Sequence, residues 1–141
     1  MPASIFDTMK APPAAQLLGW TLLELDVAKK SIKVGFDGKA DFLNPAGNVQ
    51  GGILSAMLDD TMGPIVVAVT GGAAFPTTID LHVHFIRPVK PGAISVTAEI
   101  TNMGKQLVFL EGQLFDSAGK LCARATAAAL LSAMDGIRKS R

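Results

Sequence analysis

Leu43-Asn44-Pro45-Ala46-Gly47-Asn48-Val49-Gln50-Gly51-Gly52-Ile53-Leu54-Ser55-Ala56-Met57-Leu58-Asp59-Asp60 changes its pattern once, and the change decides the fold. Up to the paired glycines the residues are loop punctuation, since Asn-Pro, Ala-Gly and Gly-Gly favour turns and irregular backbone. From Gly51 onward, apolar residues recur at Ile53, Leu54, Met57, Leu58, Met62, Ile65, Val66 and Val69, the three- and four-residue spacing of a helix. That helix is apolar almost all the way round, which predicts that the rest of the domain wraps it. The adjacent acids Asp59 and Asp60 then cannot both reach water easily, and burying an unpaired carboxylate is costly. Pro64 has no N–H for the carbonyl of Asp60, and its ring presses on that group, so a kink or a loosened turn is expected there.

On either side of this helix the chain reads as strands. Residues 1–12 carry prolines without periodicity and are expected to form an exposed arm, followed by a short helix through Pro13-Ala14-Ala15-Gln16-Leu17-Leu18 that stops at Gly19. Trp20 to Val27, and then Ile32, Val34 and Phe36 with polar neighbours, form a hairpin. After Gly71-Gly72 comes the cleanest alternation in the chain, with Ile79, Leu81, Val83 and Phe85 on one face and Thr78, Asp80, His82 and His84 on the other. Three further strands centre on Val96, Leu110 and Ala127, with a polar, frayed tail from Asp135 to Arg141. Tight turns make neighbours antiparallel, so the last four strands are expected to form a meander. Two strands, one long helix and four strands make an α+β domain over 1–141 in which an antiparallel sheet wraps one central helix, the hotdog arrangement. Its open edge strands favour pairing with a second copy.

Composition narrows the function. With 141 residues the chain is long enough for one domain and a core of its own. A net charge of +1 gives no support to a nucleic-acid groove or a polybasic membrane surface. The single cysteine, Cys122, excludes an intramolecular disulfide and fits a reducing, cytoplasmic setting. Met1-Pro2-Ala3-Ser4-Ile5-Phe6-Asp7 lacks the basic start and apolar run of a signal peptide. No unbroken apolar run approaches the ~20 residues that span a bilayer. P-loop, dinucleotide fingerprint and Ser-His-Asp triad are all missing.

The candidate chemistry gathers on the quoted stretch. Gly51 opens the helix, so its N–H and that of Gly52 lack intrahelical partners and sit at the positive end of the dipole. Such donors suit a carbonyl oxygen that becomes an oxyanion, and glycine lets a substrate approach the backbone. Asp59 is the candidate base or nucleophile, while the amides of Asn44 and Gln50 could orient water or the carbonyl. Gly51 and Asp59 lie ~12 Å apart along one helix axis at 1.5 Å per residue, whereas a reacting atom must lie ~3 Å from both. If the pair acts together, Gly51 of one subunit must meet Asp59 of another across a two-fold axis. The plainer readings are that Gly51-Gly52 is only a tight helix entry and that Asp59 is a buried side chain capped by backbone donors. Asp60 reads as a structural acceptor or a rim charge. Asp80, His82 and His84 superficially resemble a metal triad, but ligands usually converge from several elements, so the expectation is no metal and a polar outer or inter-subunit sheet face. Leu54, Leu58, Met62 and Phe75 are the expected lining of an acyl pocket.

These residues resemble a known family. Asn44-Pro45-Ala46-Gly47-Asn48-Val49-Gln50-Gly51-Gly52, with Asp59 eight residues after Gly51, is similar to the motif of hotdog-fold acyl-CoA thioesterases of the phenylacetate-degradation type, in the superfamily of the 4-hydroxybenzoyl-CoA thioesterases. The likeness extends over nearly the whole chain, through Phe85-Ile86-Arg87-Pro88 and Asp116-Ser117-Ala118-Gly119-Lys120-Leu121. It implies that Asp59 is the catalytic carboxylate, Gly51 the oxyanion donor and Asn44 the residue that positions water. Thr78 resembles the hydroxyl that orients the water, and Gly52, Arg87 and Lys105 fall where substrate, including the phosphates of coenzyme A, would be met. One departure stands out, because the family typically has histidine before the paired glycines and this chain has Gln50, which can donate a hydrogen bond but not shuttle a proton.

The resemblance thus implies a cytoplasmic thioester hydrolase acting on acyl-CoA, with no cofactor beyond the coenzyme A of its substrate, assembled as a dimer at least and as a homotetramer by family likeness. Two other readings stay open: an acyl-CoA binder or sensor without turnover, and a hotdog hydratase or dehydratase, which the loop's lack of histidine disfavours.

Overall fold

The computed structural model describes residues 3–134, so the tail expected at 135–141 lies outside the described residues. A short helix α1 (Pro13–Leu18) ends at Gly19, whose left-handed φ of 78° suits glycine. It leads into strands β1 (Thr21–Asp26) and β2 (Ser31–Gly38), then the helix α2 (Gly51–Val69), and then β3 (Ala74–Phe85), β4 (Gly92–Met103), β5 (Leu107–Phe115) and β6 (Leu121–Ala133). The six strands form one antiparallel sheet in the order β1-β2-β4-β5-β6-β3, with α2 across one face. The hotdog architecture expected from the sequence is the one observed.

Alternation explains which face is covered. On β5, Val108, Leu110 and Leu114 are buried beneath α2 while Phe109, Glu111 and Gln113 are exposed on the other face. Leu54, Met57, Leu58, Met62, Ile65 and Val66 supply the helix side of this core, each nearly or fully buried, and each such side chain stabilises the fold by roughly 1.5–3 kcal/mol. Gly112 interrupts the β5 row because the helix comes so close there: a Cβ at Gly112 would lie 3.2 Å from Leu58 Cδ2. By length and apolar composition α2 would also suit a bilayer, yet the sheet covers one side of it.

The four-strand meander is not what forms. β4, β5 and β6 are consecutive neighbours, but β3 pairs with β6, from Ala74↔Ala133 to Phe85↔Ala123, and leaves its other edge open. Its link to β4 is too stiff and too committed for a hairpin. Pro88 and Pro91 lack donors, the N–H groups of Ile86 and Arg87 both go to the Cys122 carbonyl, and the carbonyl of buried Val89 accepts from Val49 N–H. This segment therefore carries the chain past the loop before α2 and delivers it beside β2.

α2 continues through Pro64 as a single helix from Gly51 to Val69. The carbonyl of Asp60, which proline leaves without its usual donor, accepts instead from the Trp20 indole N–H at 2.9 Å. The helix is also less completely wrapped than its composition predicts. Gly52 and Ala56 are exposed and Asp59 and Gly63 half-buried, a stripe of small residues and one acid on the side away from the sheet core. A Cβ added at Gly52 would meet nothing within 4 Å beyond its own turn of helix.

Candidate active site

Asp59 sits midway along this stripe, and the Thr78 hydroxyl donates to its Oδ1 at 2.7 Å. Strict alternation would have pointed Thr78 to the opposite face, with Asp80, His82 and His84. A β-bulge prevents this: the register between β3 and β6 slips between Thr78 and Asp80 and leaves Ile79 unpaired. Thr78 thereby stands opposite buried Ala129 and faces the helix, as do Leu81, Val83 and Phe85, while Thr77, Asp80, His82 and His84 face outward. The bulge is what gives Asp59 a side-chain donor.

Asp60, the neighbour, is the more perturbed acid. Its pKa is pushed up to about 6, first by burial and second by the charge of Asp59. Its Oδ2 is buried without a hydrogen-bond partner, so neither of the two readings of Asp60, a structural acceptor or a rim charge, describes that oxygen. The signal was present in the sequence as two adjacent acids on an apolar helix, but which of them turns inward depends on the helix's rotation against the sheet.

The second cluster lies at the start of α2. Gln50 occupies the N-cap position without a side-chain cap bond and is exposed. Its carbonyl accepts from the N–H groups of Ile53 and Leu54, and its own N–H bonds to Phe42. The first-turn donors of Gly51 and Gly52 have no intrahelical partner. Phe85, which the sequence reading did not assign to the site, covers Gly51 so closely that a Cβ there would lie 3.2 Å from its ring. Asn44 organises the loop: its Oδ1 accepts from Ala46 and Asn48 N–H at 3.0 and 3.1 Å. Only its Nδ2 end is left to donate to a ligand.

The remaining candidates are distributed. Arg87 follows β3 at the Phe85 end, and one of its guanidinium nitrogens donates to the Leu121 carbonyl at 2.6 Å. Lys105 is exposed in the β4–β5 turn at the other end of the sheet, where Gln106 accepts from Leu131 N–H and Leu131 pairs with Pro76. Leu54, Leu58 and Met62 point into the sheet core with 3% exposure or less, so they line no open pocket; Phe75, at 36%, is the one member of that expected set at the surface. Burial pushes the Cys122 thiol upward, as befits packing rather than nucleophilic chemistry. A depression of about 880 Å³ exists on the far face of the sheet, bordered by Glu24, Lys33, His82, His84, Glu111 and Arg124, with the sheet between it and Asp59.

One chain therefore carries two candidate half-sites on one helix. Asp59 and Thr78 offer a hydrogen-bonded carboxylate, and the Gly51–Gly52 end offers free backbone donors, ~12 Å away along the helix axis.

Comparison with known proteins bears on this arrangement. The family model described as Thioesterase superfamily matches residues 46–123, which include both half-sites. A phenylacetic acid degradation-related protein of Ralstonia eutropha JMP134, described as a candidate thioesterase, is 34% identical, with a TM-score of 0.83 over 86% of this chain and 92% of that one. The E. coli PaaI protein from the phenylacetic acid degradation operon shares the fold at 18% identity, with a TM-score of 0.77 over 89% and 86% of the two chains. A candidate esterase of Thermoplasma acidophilum is 22% identical over 98 residues, 70% of this chain and 74% of that one.

Proposed function

Since this chain belongs to the thioesterase superfamily, whose general chemistry is thioester hydrolysis, we propose that it cleaves an acyl-CoA thioester at a site shared by two subunits of a dimer. The observation that carries the reading is the pair of half-sites on α2. A two-fold axis between them would bring the Gly51 end of one subunit to Asp59 of the other.

Asp59, held at one oxygen by Thr78, presents its other oxygen as general base or nucleophile. In the general-base form it takes a proton from water as the oxygen attacks the thioester carbon. The carbonyl oxygen gains charge and is met by the N–H of Gly51, with that of Gly52 beside it, at the positive end of α2. Collapse of the tetrahedral adduct expels the coenzyme A thiolate, which takes the proton and leaves the free acid. Asn44 Nδ2 and the Gln50 amide would orient the water or the carbonyl. Arg87 and Lys105, at opposite ends of the sheet in one subunit, would be brought by the partner to the same substrate, where they meet its phosphates. No further cofactor is needed for this chemistry. A cytoplasmic location suits the free thiol, and a tetramer of two dimers suits the family likeness.

The test is thiol release from aryl-, short- and medium-chain acyl-CoA substrates. Phenylacetyl-CoA comes first because two similar proteins are described in terms of phenylacetic acid degradation. Wild type should release thiol, and Asp59→Asn should lose roughly 10²–10⁴-fold in kcat, the usual range for a general base. The exposed, non-titrating Gln50 favours one second reading, an acyl-CoA binder. Saturable binding with no release from any substrate would select it over hydrolysis.

A further inference from the structure

His82 and His84 are two residues apart on the outward face of β3, and their Nε2 atoms approach to 3.3 Å. The two rings meet there in a hydrogen bond, and its length matches the roughly 3.3 Å between two imidazole nitrogens bound at ~2.0–2.1 Å to one tetrahedral ion, so the pair is spaced as a chelate once the proton moves to the far ring nitrogen. Both rings are exposed at the rim of the outer depression. Among the described residues of one chain, no third histidine, cysteine or carboxylate converges on them. Two ligands on one strand make only a weak site.

The open edge of β3 supplies the missing element. In an antiparallel pair, directly opposed residues point to the same face, so two copies of β3 related by a two-fold place outward residues opposite outward residues. The axis required by the half-sites falls midway between Thr78, which touches Asp59, and Phe85, which touches Gly51. That midpoint is Leu81 or His82, within the regular stretch beyond the bulge. Centring on Leu81 sets Asp80 of the partner subunit opposite His82, and centring on His82 sets it opposite His84. Either register brings a carboxylate to a position whose Cβ lies about 5 Å from that of one member of the chelate.

We propose that the outer edge of β3 binds a divalent cation of the zinc class, held by His82 and His84 of one subunit and Asp80 of the partner subunit, and that the ion clamps the dimer. Imidazole and carboxylate are the donor set such ions prefer, and a fourth position stays open to water. The clamp lies on the opposite face of the sheet from Asp59, so it is structural and takes no part in thioester chemistry. The proposal rests on the two-fold dimer of the preceding reading.

The experiment uses untagged protein, Zn²⁺ competed against a chromophoric chelator, and sedimentation velocity over a dilution series with Zn²⁺ or with a strong chelator. Wild type should bind one ion per chain, and Zn²⁺ should lower the dimer dissociation constant at least tenfold. His82→Ala and His84→Ala should abolish both effects, and Asp80→Asn, which removes one of three protein ligands, should weaken them by at least the roughly 10–100-fold that losing even an outer-shell partner costs. Thioester hydrolysis measured well above the dissociation constant should be the same in all three variants and in wild type. A stable dimer that ignores Zn²⁺ would overturn the clamp and leave the shared active site standing. Binding that survives Asp80→Asn unchanged would overturn the bridging geometry. A chain that stays monomeric with and without Zn²⁺ would remove the two-fold dimer itself.

Discussion

Asp60 carries a pKa of about 6 against an ordinary 3.8, raised first by burial and then by Asp59, and this has a definite sign for stability. The folded state binds the proton more tightly than the unfolded chain, so the contribution is fully present below pH ~4 and is lost as pH rises through 6. Above that, the fold holds a half-buried charge with one oxygen unpartnered. Asp60→Asn should therefore melt higher than wild type at pH 8, with the difference vanishing or reversing at pH 4; calorimetry at the two pH values reads this directly. Thr78 makes a different prediction, because its hydroxyl touches the proposed base. Thr78→Val should lower kcat about 10–100-fold, the worth of a hydrogen bond to a charged group, while Thr78→Ser should restore most of it. At this scale the sequence singled out Gly51 as the helix entry and Asp59 as an acid on an apolar helix. It did not show that Asp59 has a hydroxyl donor, because the alternation around Thr78 pointed that side chain the wrong way until the bulge at Ile79 turned it.

α2 is the element that tests local rules against tertiary ones. Its apolar periodicity and its glycine entry were legible, and its bounds were expected at Gly51 and about Thr70, close to the Gly51–Val69 observed. At Pro64 local rules leave the Asp60 carbonyl without its helical donor, and a residue forty positions upstream supplies another: the Trp20 indole N–H bonds to it. Trp20→Phe retains an aromatic side chain, though a smaller one, and removes the N–H, leaving that carbonyl unpaired; it should cost at least about 1–3 kcal/mol in urea unfolding. If the midpoint is unchanged, water already serves the carbonyl and the indole bond is incidental. The pairing of β3 was misread for a related reason. Short connections imply adjacency, but Pro88, Val89 and Pro91 commit their segment to the loop before α2, and no local pattern announces a bond to Val49.

Of the two edge strands of the described sheet, β1 and β3, β3 is the one flanked by exposed Ile79, Phe85 and Ile86, on the strand or just beyond it, a surface that soluble chains usually cover. The proposed shared site makes a prediction that no single subunit can mimic. Asp59→Asn and Gly51→Val should each be inactive as homodimers, yet an equilibrated equal mixture should recover about a quarter of wild-type activity. Half of the dimers would be mixed, and each would carry one site with both lesions and one site with neither. No recovery, after subunit exchange has been verified by mass spectrometry, would place the donors and the carboxylate within one chain.

The indole bond to Asp60 also gives the molecule a built-in reporter. The chain has one tryptophan and no tyrosine, so its near-ultraviolet emission comes from a single ring, stacked edge-on against Phe6 at 5.2 Å and bonded to the helix that carries the acids. Quenching or a spectral shift on adding ligand would register changes at the middle of that helix without any label.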